Sequence, residues 1–216
     1  MALSNNNGGQ TGTLLILKPV SKVNDEKVRP FFEISRSENG KWVADEDQSI
    51  NSITATLVKI EPHKEEYKGD EYYRVRIYLK DGDETYLVPC RMNIATRSLF
   101  NSLLNLQTFE NVSIRYYLTK SGYDAFYVSQ DGEKVTWKYE NDEVPVATEV
   151  SYKGKTIRDF TNVDLFFVEK LTEFNDILSG KASKAVSSKE TEPVKTAKKA
   201  SKKKVEVEEE ESVVEF

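Results

Sequence analysis

Apolar and polar positions alternate through most of the first 140 residues, and the period changes only twice. Leu14 to Leu17 is a short apolar run that stops at Pro19. Phe31 to Ile34 and Lys41 to Val43 are two more, joined across Ser37-Glu38-Asn39-Gly40. Asn-Gly between two strand-like runs predicts a hairpin, because both residues tolerate the positive φ of a type I′ turn. Ile53, Ala55 and Leu57 alternate with Thr54 and Thr56 through Ile60, a first long strand, and His63 to Asp70, with Pro62 and Gly69, reads as a polar loop. Glu71 to Lys80 and Glu84 to Arg91 are the next two strands, joined by Asp81-Gly82-Asp83. Over residues 95–106 the period becomes helical at Leu99, Phe100, Leu103 and Leu104, with Asn93 or Thr96 available as a cap. Alternation then returns: Val112, Ile114, Tyr116 and Leu118 point inward, and Ser113, Arg115 and Tyr117 outward. Ser121-Gly122 turns into a fifth strand, Tyr123 to Ser129, and Gln130-Asp131-Gly132-Glu133 turns into Val135, Trp137 and Tyr139. After Glu140 the chain loosens, with a small hairpin around Lys153-Gly154. Thr161-Asn162-Val163-Asp164 reads as a capping box with Thr161 at the N-cap. Val163, Phe166, Phe167, Leu171, Phe174 and Leu178 follow at helical spacing, a face that packs on the barrel or on another subunit.

Strand, strand, strand, helix, strand, strand is the order of a five-stranded OB-fold barrel, whose ligands lie across its second and third strands and the flanking loops. The expected fold class is therefore mainly β with two helices: an OB-fold-like antiparallel barrel with N-terminal hairpin and C-terminal helix additions. Another small antiparallel barrel or sandwich is the alternative. The expected organisation is a disordered N-terminus (1–13) and an OB-fold-like domain (14–180, barrel core 53–129). A Lys-rich disordered linker (181–204) and an acidic tail (205–216) follow.

Charge changes this picture because it is unevenly placed. Of the net −5 over 216 residues, the linker carries nine Lys against two Glu, the last twelve residues carry six Glu and no base, and residues 1–180 are themselves net −6. A net-negative body argues against a general polyanion binder, so any nucleic-acid site has to be a local basic patch. No apolar run approaches a membrane span, and Met1 to Gly12 is polar where a signal peptide needs an apolar stretch, so the expectation is a cytoplasmic protein with no membrane partner. One cysteine, Cys90, and one histidine, His63, leave no Cys/His zinc cluster and disfavour nucleophile-plus-histidine catalysis.

The candidate chemistry lies on the second strand. Tyr73, Val75, Ile77 and Leu79 share one face, a core, while Tyr72, Arg74, Arg76 and Tyr78 share the other. Rings and guanidinium planes stack on bases and pair with phosphates. The competing reading is a merely solvated strand face. A three-residue loop at 81–83, favoured because it puts Leu87 inside, sets Tyr86 beside Tyr78; a two-residue loop reverses that assignment. Arg115, Tyr117, Lys120 and Tyr123 fall on the fourth strand and the loop after it, where they border the same groove. With four phosphate contacts from Arg74, Arg76, Arg115 and Lys120, the log-log salt slope of single-strand binding is expected near roughly −3.

The chain ends Val205-Glu-Val-Glu-Glu-Glu-Glu-Ser-Val-Val-Glu-Phe216, an acidic run closed by an aromatic residue. In this plan it resembles the single-stranded DNA-binding proteins of bacteria and their phages, an OB core followed by a linker and an acidic tail ending in Phe, and in particular the bacteriophage T7 type. The resemblance covers the architecture of residues 53–129 and the tail, with no diagnostic motif between them. It implies binding and protection of single-stranded DNA in replication, recombination or repair. It also implies a tail whose Glu208, Glu209, Glu210, Glu211, Glu215 and Phe216 recruit replication proteins (polymerase, primase or helicase) and compete with DNA. Bacterial members place Pro before the terminal Phe; Glu215 stands there instead, which fits a phage-type partner.

The second function class is a non-enzymatic protein-interaction or phage assembly module with a solubilising tail, which the acidic body favours. An enzyme is disfavoured. Gly8-Gly9-Gln10-Thr11-Gly12-Thr13 lacks the P-loop Lys and its strand context, and Asp45-Glu46-Asp47 and Asp81-Gly82-Asp83 sit at turns where Asp is expected. No cofactor or metal is expected, and a homodimer is left open.

Overall fold

The computed structural model describes residues 13–24, 27–67, 69–152 and 154–180. Residues 1–12, most of the expected disordered N-terminus, lie outside these, as do the Lys-rich linker and the acidic tail with Phe216. In order the elements are β1 (Thr13–Asn24), β2 (Lys27–Glu38), β3 (Lys41–Ile50), β4 (Ser52–Tyr67), β5 (Asp70–Asp81) and β6 (Glu84–Arg91). Then come α1 (Ile94–Leu103), β7 (Val112–Leu118), β8 (Asp124–Gln130), β9 (Glu133–Lys134), β10 (Thr148–Tyr152), β11 (Lys155–Asp159) and α2 (Thr161–Leu178). The described chain is thus mainly β with two helices. One sheet runs β3-β2-β1-β6-β5-β4-β7-β8-β9, and β10 pairs with β11 as a separate hairpin.

That sheet is not closed into a barrel, which corrects the expected architecture. Closure would need β8 to pair with β6. The edge of β6 is taken instead by β1, which lies parallel to it with Leu15 opposite Tyr86 and Ile16 opposite Leu87, and β8 passes on to β9. The two arms of the sheet meet through side chains: the Phe32 ring of β2 stands 6.0 Å from Tyr116 and 6.5 Å from Phe126. Ring packing without a shared ladder curls the sheet and leaves β3 and β9 as its edges. Leu17, Phe32, Ile60, Val75, Ile77, Leu79 and Ile114 meet Leu99, Phe100 and Leu103 of α1 and Leu171 of α2 with no exposed surface, each contributing about 1.5–3 kcal/mol of burial.

The strands are longer than the alternation suggested, because proline does not stop them. Pro19 sits within β1 opposite Phe32, and Pro62 sits within β4 opposite Val75, so residues 63–67 are strand rather than loop. Each stands where its strand has only one partner: β1 pairs with β6 only as far as Ile16, and β4 pairs with β7 only as far as Ala55. Proline, lacking an N–H, is tolerated at such an edge. The edge of β4 is further shaped by a bulge at Val58, where the register shifts between Leu57 and Lys59. The Ile60 amide beyond it donates to Asn175 Oδ1 of α2 at 3.1 Å.

Turn and cap chemistry follows local rules with two exceptions. Asn39 and Gly40 both take positive φ, 52° and 77°, as the hairpin signal predicts. The 81–84 turn is a two-residue one: Asp81 pairs with Glu84, and Leu79 with Tyr86. Gly82 at φ 55° supplies the backbone that lets the turn close so tightly. Tyr86 therefore faces inward beside Leu79 and Leu87 outward beside Tyr78, the reverse of the favoured register. Asn93 caps α1 in a reciprocal box, with Thr96 N donating to Asn93 Oδ1 at 2.9 Å and Asn93 N to Thr96 Oγ1 at 3.0 Å. The second box does not form. Phe160 occupies the cap position of α2 without a side-chain bond; Thr161 donates from N and Oγ1 to Asp159 at 2.9 and 2.6 Å, and Asp164 accepts from Arg97 Nε at 2.8 Å.

Candidate nucleic-acid interface

The outward face of β5 is what its alternation promised, but its neighbour was not foreseen. Because residues 61–67 are strand, Glu61 lies directly opposite Arg76, His63 opposite Arg74, Glu65 opposite Tyr72 and Lys59 opposite Tyr78. Glu65 gathers three of these groups: it accepts from the Tyr72 hydroxyl at 2.9 Å, bonds His63 Nε2 at 2.9 Å and pairs with Arg74 at 2.9 Å. The Arg74 Nε–H points off the line to the carboxylate, so that contact is charge pairing rather than a hydrogen bond. Glu61 holds Lys59 at 2.7 Å and accepts from the Tyr78 hydroxyl at 3.2 Å.

These contacts outweigh desolvation. Burial alone would raise both carboxyls, but Lys59 and Tyr78 hold Glu61 below its ordinary value, and His63, Tyr72 and the Arg74 charge do the same for Glu65. Burial, then the Glu61 charge, pushes the Tyr78 hydroxyl up. The ring faces are engaged too: Arg74 lies 5.5 Å from the centroid of Tyr72 and Lys59 lies 5.5 Å from that of Tyr78. His63, expected to begin a polar loop, is instead a half-buried member of this network, with its Nδ1 buried and unpaired. Tyr86 is outside it, turned inward with its hydroxyl on Glu84. Burial, then that bond, pushes its pKa up to about 12. Cys90 is fully enclosed, and burial pushes its thiol up to about 12.

A second outward face lies on β7 and β8. Arg115 has Ser52 of β4 on one side and Tyr127 of β8 on the other, and Tyr117 is the next residue along its own strand on that face. Tyr117 is 36 % and Tyr127 37 % exposed. Among the described residues Arg115 has no ion pair, and neither ring carries a cation. Lys134 of β9 joins this face opposite Ser129. Tyr123, 74 % exposed, and Lys120 stand on the turn between β7 and β8. Thr119 Oγ1 accepts there from the Tyr123 amide at 3.0 Å.

The two faces do not form one groove. Arg115 registers with Ser52 and Arg74 with His63, eleven residues apart on β4, or about 35 Å of strand at roughly 3.3 Å per residue. Tyr72 and Arg74 border an open cleft at the other end of β5, with Arg91, Met92 and the start of α2 at Thr161, Asp164 and Leu165. Tyr127 and Lys134 escaped sequence reasoning because no faces were assigned to the fifth strand. Pairing it back across the Ser121-Gly122 turn would have put Tyr127 beside Arg115.

Among the described residues, no His, Cys, Asp and Glu cluster suited to a metal comes together, and no helix is long and apolar enough to cross a membrane. No family model, no curated protein and no solved structure matches the chain.

Proposed function

We propose that this chain binds single-stranded nucleic acid without strong sequence preference, acting on DNA in replication, recombination or repair. The observation that carries this is Arg115 beside two exposed tyrosine rings, Tyr127 across the ladder and Tyr117 along its own strand, with no acid paired to it and no cation on either ring among the described residues. Successive bases stack on such rings at about 1–3 kcal/mol each, while Arg115, Lys134 and Lys120 meet phosphates. The ladders β4–β5, β5–β6, β4–β7 and β7–β8 follow the order of an OB core. We take the chain as an opened OB-like sheet in which β1 occupies the edge that a fifth strand would close. The acidic segment 205–216 is read, on the phage T7 plan, as the part that recruits replication proteins.

A second reading, a protein-interaction module, is favoured by Glu61 and Glu65, which engage the cations and rings of the β5 face from within. Intrinsic tyrosine and tryptophan fluorescence during titration with an oligo-dT strand and with a duplex, at two salt concentrations, separates the two. Saturable quenching by the single strand, weaker quenching by the duplex and a log-log salt slope near roughly −2 are expected for three phosphate contacts. No quenching by the single strand overturns the nucleic-acid reading and leaves the interaction module.

A further inference from the structure

We infer that β3 is a self-pairing edge through which two copies of this chain join their sheets about a twofold axis at Val43. This goes beyond the proposed nucleic-acid site, shares no residue with it and stands whether or not that reading holds. Among the described residues β3 is the outermost strand at its end of the sheet; its regular ladder with β2 runs from Lys41 to Ala44, and the register breaks before resuming at Ser49. At the opposite end β9 has only two residues, too short a template for a partner strand. Long unpaired edges are what proteins ordinarily blunt or use.

The hydrogen-bonding parity of β3 follows from its turn. Glu38 and Lys41 flank the two-residue Asn39-Gly40 turn and pair with each other. The pair closing such a turn is the hydrogen-bonded one, and bonding then alternates along the strand. Lys41 and Val43 accordingly direct their amides toward β2, and Trp42 and Ala44 direct theirs to the free edge. An antiparallel partner has to meet Trp42 and Ala44. A second copy does so when Trp42 faces the partner copy's Ala44 and Ala44 the partner copy's Trp42, which puts the two Val43 residues face to face on the axis. Four backbone hydrogen bonds then form without any change in either chain.

The side chains agree with this register. Asp45 is the first residue beyond the regular ladder, and its contact with Arg36, the cross-strand partner of Val43, keeps it on the Val43 face; Lys41 then falls beside the partner copy's Asp45, and the reverse, so two opposite-charge pairs flank the Val43 contact. Asp45 keeps its contact with Arg36, 3.4 Å away, and so lies between two cations. Trp42 and Val43, 43 % and 44 % exposed on opposite faces of the strand, are covered above and below the seam. A one-residue slip would set Trp42 against Trp42 or Ala44 against Ala44 and destroy the charge match. The seam is short, so assembly depends on concentration.

The full-length chain tests this by sedimentation velocity across a concentration series, joined to a cysteine scan. The expected result is a mass rising toward twice the 24.7 kDa of one chain. Lys41→Asp, which sets acid against acid twice, leaves a monomer where the wild type is dimeric; mixing Lys41→Asp with Asp45→Lys restores a dimer containing one of each. Val43→Cys cross-links to a covalent dimer on mild oxidation, whereas Trp42→Cys, whose neighbour across the seam is Ala44, does not. The buried Cys90 thiol stays silent in both. A wild type that is monomeric throughout with no Val43→Cys cross-link overturns the inference and leaves the edge to a different chain. A dimer indifferent to Lys41→Asp overturns it by placing the interface elsewhere.

Discussion

The outward faces of β5 and β7 use the same residue types to opposite effect. On β5, Tyr72, Arg74, Arg76 and Tyr78 look across at Lys59, Glu61, His63 and Glu65, so the Arg74 charge, both hydroxyls and both ring faces are engaged inside the protein, and Arg76 lies opposite the Glu61 charge. On β7, Arg115 looks across at Ser52 and Tyr127, and nothing among the described residues engages it. The strand itself does not decide whether an aromatic and basic face is a network or an interface; the residue opposite does. β4 supplies both answers, acids beyond its bulge at Val58 and hydroxyls before it.

The comparison breaks most readily at the rings. Tyr117→Ala combined with Tyr127→Ala removes two stacking faces and should weaken binding of a labelled oligo-dT strand by about 2–6 kcal/mol. Tyr72→Ala combined with Tyr78→Ala should shift it by less than about 1 kcal/mol, both read by fluorescence anisotropy. A larger effect from the β5 pair would reverse the assignment of the two faces.

Asn175→Ala strikes the device that holds the edge of β4 at its bulge. With the Ile60 amide left unpaired, stability should fall by about 1–3 kcal/mol in thermal unfolding while single-strand affinity at low temperature stays put. Glu61→Gln combined with Glu65→Gln should make the β5 face resemble the β7 face: freed from carboxylates, Arg74 and Arg76 become available, and affinity should tighten by about 1 kcal/mol. The same double variant carries a pH signature. Both carboxyls lie below their ordinary value in the folded chain, so their contribution to stability is complete above that value and is lost as the pH falls through the lower, folded one. The stability difference between wild type and variant should therefore be largest near neutrality and shrink as the pH falls below the ordinary carboxylate range, as urea unfolding would show. Smallest of all, Arg115→Gln should make the log-log salt slope less negative by about 0.7, one phosphate contact.

Much of the local structure was legible in the sequence. The Asn39-Gly40 hairpin, the Asn93 cap, the helical period of α1 and the inward set Val75, Ile77 and Leu79 each follow from rules acting within a few residues. What escaped depended on partners distant in the chain. Pro62 looked like a stop because nothing local tells that β4 has an open edge there. With residues 63–67 read as loop, Glu65 had no route to Tyr72 and Arg74. The Tyr86 register turned on one residue of turn length. Closure of the barrel failed because β1 reaches the edge of β6 across some seventy intervening residues. Tyr127 was within reach of a pairing argument across the Ser121-Gly122 turn, and Lys134 of the next turn after it.

The most direct test of the open face is photo-cross-linking of the full-length chain to an oligo-dT strand carrying 5-iodouracil, with the adducts mapped by mass spectrometry. Adducts at Tyr117, Tyr127 and Tyr123 are the predicted result. Adducts confined to Tyr72 and Tyr78, or none at any tyrosine, would contradict it.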